Sequence, residues 1–417
     1  MTSTTDTKII IIGAGVTGLA LAQGLKKSGI AFNVYERAPS PASKRNWCFG
    51  IHWGFDALKE LVPEHFLDTL DSARIDPHID SQDESLYRLP LYDAASGELI
   101  KELPGSKFHR LRRDKFRDWL LQDIETNVHW AKSPSLLEYS QDGRSVAVTF
   151  EDGSIVTGSM VIGCDGAHSK VRELLLGHEK ASLQPIGDFA TATIYSKHTR
   201  EHALQLRARP AHPLYQIGLH KKGFVSWLCV HNAEDKDHPE NWTFFNYTSY
   251  RLPPDVDQSR WSKADLIRYQ KTIVKENDFV DPFKSIYSWL GDDEENVWYT
   301  RLMDWDPRRP GHAWDNKDGR ITLAGDAAHP MSFQRGQGLN NALQDALELR
   351  NVIALVWKDD GVQATARKDA VDAYEKQMIE RGGKEVQLSR ENTFMVHGEN
   401  FQNSHLATKG LNAEGQA

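Results

Sequence analysis

Positions Arg320 to Arg350 read RITLAGDAAHPMSFQRGQGLNNALQDALELR. Ile321 to Ala324 is a short apolar run of the kind that forms a buried strand. Gly325 and Asp326 end that run, and Gly336 and Gly338 then open a long helical pattern. A helix start offers unpaired backbone N–H groups and a partial positive charge. A ring that becomes anionic on reduction is stabilised there, and the carboxylate before it can accept from the hydroxyls of a sugar-like chain. Together these describe a flavin site better than a sugar or peptide site. The competing reading is a strand, loop and core helix with incidental polar residues, and Asp326 alone does not decide between the two.

The start of the chain adds a second signal. Ile9 to Ile12 is a β-branched run that reads as a buried parallel strand. Gly13-Ala14-Gly15-Val16-Thr17-Gly18 follows at once, and Leu19, Ala22 and Leu25 continue on one helical face. Gly29 ends that helix, Phe32 to Tyr35 is the next strand, and Glu36 closes it 23 residues after Gly13. Gly13 permits the tight turn, Gly15 lets backbone approach a pyrophosphate, and Gly18 lets the helix pack on the strand. Glu36 can accept from the ribose hydroxyls of an adenosine. An acid there suits a dinucleotide without a 2′-phosphate, so NAD or FAD rather than NADP.

Other segments are open to two readings each. Met160 to Ile162 is a buried strand leading into Gly163-Cys164-Asp165-Gly166, a place for ligand hydroxyls or phosphate, although Asp-Gly by itself is usually just a turn. In Phe108 to Leu120, Leu111, Phe116, Trp119 and Leu120 can line a buried face with Arg113 at the helix start. An arginine there is unfavourable unless an anion is near, so Arg113 is either a phosphate or ribityl contact or a surface arginine. Arg45, in the loop Ser43 to Gly50, can reach a pyrophosphate or simply be solvated. Residues 134 to 157 read as a hairpin with its turn at Glu151-Asp152-Gly153.

From 181 to 309 short strands dominate: Ala190 to Ser196, Pro213 to Leu219, Phe224 to His231 and Trp242 to Tyr250. Ser262 to Asn277 is an amphipathic helix. The strands are rich in aromatics, which line either an apolar pocket or the core. No second glycine fingerprint occurs there, so a nicotinamide donor would have no Rossmann domain of its own. The expected organisation is α/β. A discontinuous dinucleotide-binding domain of the glutathione-reductase type covers 1–75, 104–180 and 310–365. An inserted mixed or antiparallel sheet domain covers 76–103 and 181–309. A C-terminal helical segment follows over 366–401, with a flexible tail over 402–417.

The chain has 417 residues, 40% of them hydrophobic and 26% charged, which suits an ordinary soluble protein of two or three domains or one interlocked body. A net charge of −8 argues against nucleic-acid binding. Cys48, Cys164 and Cys229 are not at metal-ligand spacing, and three is an odd count, so neither a metal site nor a disulfide framework is expected. A reducing, cytoplasmic setting follows. The polar start carries no signal peptide, and the longest apolar stretch, Ile9 to Ala22, is too short and too glycine-rich to span a bilayer.

The Gly13 fingerprint with Glu36, the Gly163-Cys-Asp-Gly strand end, and the Gly325-Asp-Ala-Ala-His-Pro loop with its Arg-Gly-Gln-Gly helix start stand in a fixed order. In that order and spacing the chain resembles the single-component (class A) FAD-dependent aromatic hydroxylases, with a p-hydroxybenzoate-hydroxylase-like fold. The segment from His212 to Tyr250 and the Phe-x-Arg-Gly-Gln-Gly-Leu-Asn variant look most like fungal members, many from secondary metabolism. The resemblance implies FAD extended along the first domain, its ring between that domain and the sheet module. It implies that Gly13, Gly15, Gly18 and Glu36 hold the ADP half, with Val16, Thr17 and Arg37 also binding the cofactor. Arg45 and Arg113 would serve the pyrophosphate or ribityl region, and Gly325, Asp326 and Pro330 the ribityl chain. Asp165 and Gly166 would serve FAD and transient NAD(P)H, and Gly336, Gly338, Leu339 and Asn340 the pyrimidine edge.

The implied reaction uses NAD(P)H to reduce the flavin and O2 to form a C4a-hydroperoxide, which hydroxylates an aromatic or polycyclic small molecule; epoxidation and Baeyer–Villiger insertion are variants. A flavin oxidase or dehydrogenase, or a non-enzymatic binding protein on the same fold, are the alternatives. No catalytic residue is readable by motif; Arg301, Tyr215, Trp227 and Phe245 are the pocket candidates. Phe333-Gln334 replaces the family's usual proline, and both side chains would face the substrate side of the ring. Partners beyond FAD, NAD(P)H, O2 and an apolar substrate are not expected, and the protein is a monomer or homodimer.

Overall fold

The computed structural model describes residues 8–42, 46–80, 83–103, 108–208, 212–254, 256–291, 294, 296–358, 361–362, 364–399 and 401–409. They fall into two compact units. One comprises Met1–Ala73, Arg113–Gln184 and Asp304–Gln387; the other comprises Arg74–Arg112, Pro185–Met303 and Leu388–Ala417.

The first unit is built on a five-stranded sheet in the order Ile321–Leu323, Met160–Gly163, Ile9–Ile12, Phe32–Tyr35, Val128–His129. All four pairings are parallel, with Ile9 opposite both Met160 and Phe32, Val161 opposite Ile321, and Val34 opposite Val128. The unbroken apolar runs follow from burial on both faces: Ile9 to Ile12 are at most 2% exposed. Each such side chain contributes about 1.5–3 kcal/mol by leaving water. Helix Val16–Lys27 packs against helix Gly338–Val356. The predicted hairpin over 134–157 is a three-stranded antiparallel sheet of Pro134–Tyr139, Val146–Phe150 and Ile155–Gly158.

The second unit is a seven-stranded mixed sheet in the order Val297–Asp304, Gln184–Lys197, Thr243–Arg251, Phe224–Asn232, Tyr215–His220, Leu89–Asp93, Leu99–Leu103. Its strands alternate as a two-faced sheet requires. One face carries Thr248 towards helix Lys263–Glu276, where Gln270 Nε2 donates to Thr248 O at 2.9 Å and Tyr287 Oη lies 3.0 Å from Thr248 Oγ1. The register sets Tyr215 opposite Cys229, Cys229 opposite Phe245, and Phe245 opposite Tyr195 in one cross-strand row. Ile217, Trp227 and Tyr247 form the next row on that same face.

Two expected boundaries are corrected. The stretch from 104 to 112 is expected with the dinucleotide-binding part, but its described residues belong to the second unit. Within that unit Ile75 N donates to Arg110 O at 3.1 Å, and Arg74 bridges Leu111. The C-terminal segment is not a separate body. Helix Ala364–Val396 contributes to the first unit as far as Gln387 and to the second from Leu388. Beyond it, residues 401–409 form a 3-10 turn and a short helix rather than part of a tail, with Leu406 N donating to Asn392 Oδ1 at 2.8 Å. Residues 410–417 lie outside the described residues.

Three histidines of the second unit are buried and hydrogen-bonded as neutral rings. His397 lies 2.8 Å from Ser249 Oγ and 2.7 Å from Thr393 O, His198 is 2.9 Å from Ser196 Oγ, and His212 is 3.1 Å from Leu86 O. Burial pushes each of them down to about 4. The unfolded chain therefore takes up protons from about pH 6.5 downwards while the folded unit does not until about pH 4. Their stabilisation is complete above the first value and is lost as pH falls through that window. The thermal midpoint of this unit is expected to drop steadily from pH 7 to pH 4.5, and His397→Gln to flatten the slope by about a third. Melting curves across that range check it; a flat profile contradicts the assignment.

Candidate dinucleotide-binding site

The three motifs meet at the C-terminal ends of adjacent parallel strands, where ligands bind in open α/β sheets. A Cβ at Gly13, whose φ is +108°, would lie 2.5 Å from Cys164 O and 2.8 Å from Asp165 Cα. A Cβ at Gly18 would lie 2.0 Å from Gly13 O. Gly325, at φ +60°, would bring a Cβ to 2.5 Å from Thr17 Oγ1. Glycine at these places is demanded by protein packing against protein. Gly15 is different: its φ is −78°, which any residue adopts, and its Cβ would meet nothing nearer than Cys164 O at 4.0 Å. The open side of Gly15 is the N-terminal end of helix Val16–Lys27, which has no acidic residue in its first turn. A cradle that a Cβ would fill, at a positive helix end, fits a pyrophosphate.

Glu36 accepts from Ala14 N at 2.7 Å on Oε2 and from Ala38 N at 2.9 Å on Oε1. Each oxygen keeps a further lone pair, so the carboxylate can also accept from a ribose diol. Arg117 supports the turn by donating from Nε to Ala14 O at 2.9 Å. It is a buried arginine that motif reasoning passed over, because its partner is a carbonyl 103 positions away.

Asp326 stands in the 3-10 turn Gly325–Ala327 with its side chain exposed. Surrounding protein nevertheless pushes its carboxyl above the usual carboxylate range, while His329, Arg113 and Arg172 draw it back. The open surface decides its availability: a ligand hydroxyl can reach it. A Cβ at Gly338 would be 3.7 Å from Asp326 Oδ1, so the start of helix Gly338–Val356 lies beside the carboxylate. Arg113 opens helix Arg113–Leu121, with its guanidinium 4.4 Å from the Trp47 ring centroid. Arg172 is 1% exposed and ties the strand-end loops together. It donates to Ala327 O at 2.8 Å, Ala167 O at 2.6 Å and Ala181 O at 2.9 Å.

The structure gives several predicted site residues other partners. Asp165 accepts from Ser169 Oγ at 2.5 Å, Lys170 N at 2.6 Å and Val171 N at 3.2 Å, so its carboxylate organises the start of helix Lys170–Leu176. The Asn340 side chain accepts from His52 N at 2.8 Å and Gly54 N at 3.1 Å and ties down that loop. Pro330 receives the Trp305 N–H at 3.0 Å. Gly336, at φ +64°, caps the 3-10 turn Phe333–Arg335. Val16, Thr17, Gly166 and Leu339 are half-buried and Arg37 is exposed. Arg45 lies outside the described residues.

Phe333 is 43% exposed, and the 3-10 turn carries Gln334 inward to 2%. In the second unit, Arg301 pairs with the Asp188 carboxylate at 3.5 Å. Tyr215 donates to Arg88 O at 2.9 Å, and Phe245 stacks on Tyr195 with centroids 5.7 Å apart.

Behind the Gly325 loop lies a charged cluster whose centre, Asp345 with His329, has no solvent access. Asp345 Oδ2 is 2.6 Å from His329 Nε2 and accepts from Gly325 N at 2.7 Å, while Oδ1 accepts from Arg381 at 2.8 Å. Burial alone would raise the Asp345 carboxyl; His329, Arg381 and the Gly325 N–H together hold it below the usual range. Arg381 also reaches Glu348 at 2.9 Å. Helix Ala364–Val396 approaches closely because two glycines follow Arg381. A Cβ at Gly382 would fall 2.4 Å from His329 Cδ2, and one at Gly383 2.4 Å from Arg308 Nε. Gly382→Ala is expected to cost about 1–3 kcal/mol through overpacking, read by denaturant unfolding.

A family model described as "FAD binding domain" matches residues 116–389. The chain is 35% identical to the FAD-dependent monooxygenase cctM of Talaromyces islandicus, over 97% of this chain and 96% of that protein. It is 32% identical to the FAD-dependent monooxygenase phnB of Penicillium herquei, over 97% and 95%. Among solved structures, Klebsiella pneumoniae HpxO complexed with FAD and uric acid superposes with a TM-score of 0.70 at 22% identity, over 97% of this chain and 92% of that one. CtdE in complex with FAD and a substrate superposes at 0.74 and 17% identity, over 95% and 90%. At those identities the structural likeness speaks for the fold.

Proposed function

The chain belongs to the FAD-dependent monooxygenases, and from that premise we propose that it uses NAD(P)H and O2 to hydroxylate an aromatic or polycyclic small molecule. FAD is its cofactor. One observation supports the placement of FAD above the rest: Gly325 packs on Thr17, so the loop bearing the open Asp326 carboxylate adjoins the open backbone at Gly15. Bound FAD supplies the redox chemistry, carrying electrons from the nicotinamide to O2.

The chain's own residues bind and orient. The helix end at Gly15 takes the pyrophosphate, Glu36 the adenosine ribose and Asp326 the ribityl hydroxyls. Arg113, close enough to act on Asp326, adds positive charge beside them. Helix Gly338–Val356 presents its N-terminal N–H groups, which favour the anionic reduced ring. The aromatic face of the second unit, with Tyr215, Trp227, Phe245 and Tyr247, supplies apolar surface for a flat substrate. Among the described residues no helix is long and apolar enough to cross a membrane. The three cysteines are buried thiols, which supports the reducing, cytoplasmic setting we propose.

The test is direct. Purified protein should be yellow, and a substrate should accelerate NAD(P)H oxidation with one atom of heavy-labelled O2 entering the product. Peroxide formed in step with substrate oxidation, without nicotinamide and without label in the product, would favour an oxidase instead. Asp326→Ala is expected to keep the fold, since it removes an exposed carboxylate, and to weaken FAD retention at least tenfold. Flavin absorbance after gel filtration measures it.

A further inference from the structure

Trp47, in the first unit, is 42% exposed, more than any other tryptophan among the described residues, yet it is held in place. Its carbonyl accepts from Arg113 N at 2.9 Å, and the Arg113 guanidinium lies 4.4 Å from its ring centroid, inside cation–π range. On one side of it Asn46 Nδ2 donates to Asp114 Oδ2 at 3.1 Å. On the other, Cys48 is buried and the Phe49 ring meets that of Phe116 edge-on at 5.7 Å. A single exposed apolar residue needs no explanation. An indole fixed through its backbone and flanked by a guanidinium, with much of its surface still open, is a preorganised stacking platform.

Its neighbours locate it against the FAD site. Arg113 and Arg117 stand one turn apart on helix Arg113–Leu121, and Arg117 donates to Ala14 O beside the Gly15 cradle. Arg113 also acts electrostatically on Asp326. Arg113 and the indole against it therefore stand beside the middle of the site, between pyrophosphate and ribityl groups. Strand Cys48–Ile51 leads from Trp47 to His52, whose N–H donates to Asn340 Oδ1 at the start of helix Gly338–Val356. Five residues of extended chain set Trp47 about 17 Å from His52. FAD held by Glu36, Gly15 and Asp326 would keep its adenine towards Glu36 and its ring system at that helix start. Neither ring then falls on Trp47, and the platform is left for a second molecule. A nicotinamide at the flavin ring needs a resting place for its own adenine some way off, and no second glycine fingerprint between 181 and 309 provides one.

We propose that Trp47, with Arg113 against it, is the stacking site for the adenine of NAD(P)H, a docking point on the FAD-binding unit that stands in for a nicotinamide-binding domain. The inference rests on the use of NAD(P)H in the monooxygenase reading. The probes are ADP-ribose and its 2′-phosphate, which carry the adenine half, and reduced nicotinamide mononucleotide, which carries the other. Calorimetry on the FAD-loaded protein should show one form of ADP-ribose binding. Trp47→Ala should bind it about tenfold more weakly and Trp47→Phe nearly as well as the parent, as stacking of a base on an aromatic ring requires. The mononucleotide has no adenine, so the rate at which it bleaches the flavin without oxygen should not follow the substitution. A melting curve shows whether each variant is folded, and Trp47→Leu, apolar but without a π-face, serves if the alanine variant is not. ADP-ribose binding that survives loss of the ring, or no binding of either form to the parent, overturns the proposal. Loss of FAD from a folded Trp47→Ala protein also overturns it, since the indole would then be a FAD contact. Flavin bleached by NAD(P)H with equal affinity in parent and alanine variant sinks the docking point alone. Trp47-dependent binding in a protein that transfers no oxygen sinks the monooxygenase reading alone.

Discussion

Gly15→Ala is expected to give a folded protein that emerges from purification without colour. The added methyl meets no protein atom nearer than 4.0 Å, and the backbone there is in a region open to every residue. Helix Val16–Lys27 therefore keeps its start, and stability should fall by no more than about 1 kcal/mol, alanine being a poorer N-cap than glycine. The methyl does project where a pyrophosphate must come within hydrogen-bond distance of backbone N–H groups. Displacing it removes charge-assisted bonds made at a helix terminus, and the FAD dissociation constant should rise about a hundredfold. Gly18→Ala is the contrast: its methyl would sit 2.0 Å from Gly13 O, so the protein itself should fail to fold. Flavin titration with a melting curve on each variant separates the outcomes. A yellow Gly15→Ala protein with parental affinity would remove the pyrophosphate from this helix end.

Asp345→Asn should have the largest effect on stability. The carboxylate is fully buried and serves His329, Arg381 and the Gly325 N–H at once. The neutral amide cannot match the Arg381 guanidinium, which is left with Glu348 as its carboxylate partner. Breaking a buried ion pair from one side costs about 3–5 kcal/mol. Because the Gly325 N–H is left with a neutral amide oxygen in place of a carboxylate, the loop bearing Asp326 should loosen too, and FAD affinity should fall along with stability. Arg381→Met together with Asp345→Asn should recover part of the loss, as removing both charges does for buried pairs. Denaturant unfolding of the single and double variants measures this; strict additivity would mean that the two side chains do not act as a unit.

What could be read from sequence follows from how local each interaction is. The strand, glycine turn, helix and acid from Ile9 to Glu36 form one continuous unit whose steric needs are written in consecutive residues. The α/β class follows from that unit and from the alternating strands after 181. Partners far apart in the chain were not legible. Asp165 was illegible for a different reason, since its partner Ser169 is only four positions on but looks like any loop serine. Asn340 carries no mark of its bonds to His52 and Gly54, nearly three hundred positions away. The cluster of His329, Asp345 and Arg381 was hidden for the same reason. The boundary at Arg112 escaped because it depends on contacts such as Ile75 N to Arg110 O, made 35 positions apart, which hydrophobic pattern does not record.

The paired glycines at 382 and 383 have a practical reach beyond the loop they accommodate. Anyone hardening this catalyst for use would turn first to its helices and exchange glycine for alanine, a substitution that ordinarily restricts the denatured chain and raises the melting point. Here the imidazole and guanidinium opposite leave no room for even a methyl. Thermal engineering of that helix therefore has to work on its solvent side, at positions such as Lys376 or Glu380, and leave its thin waist alone.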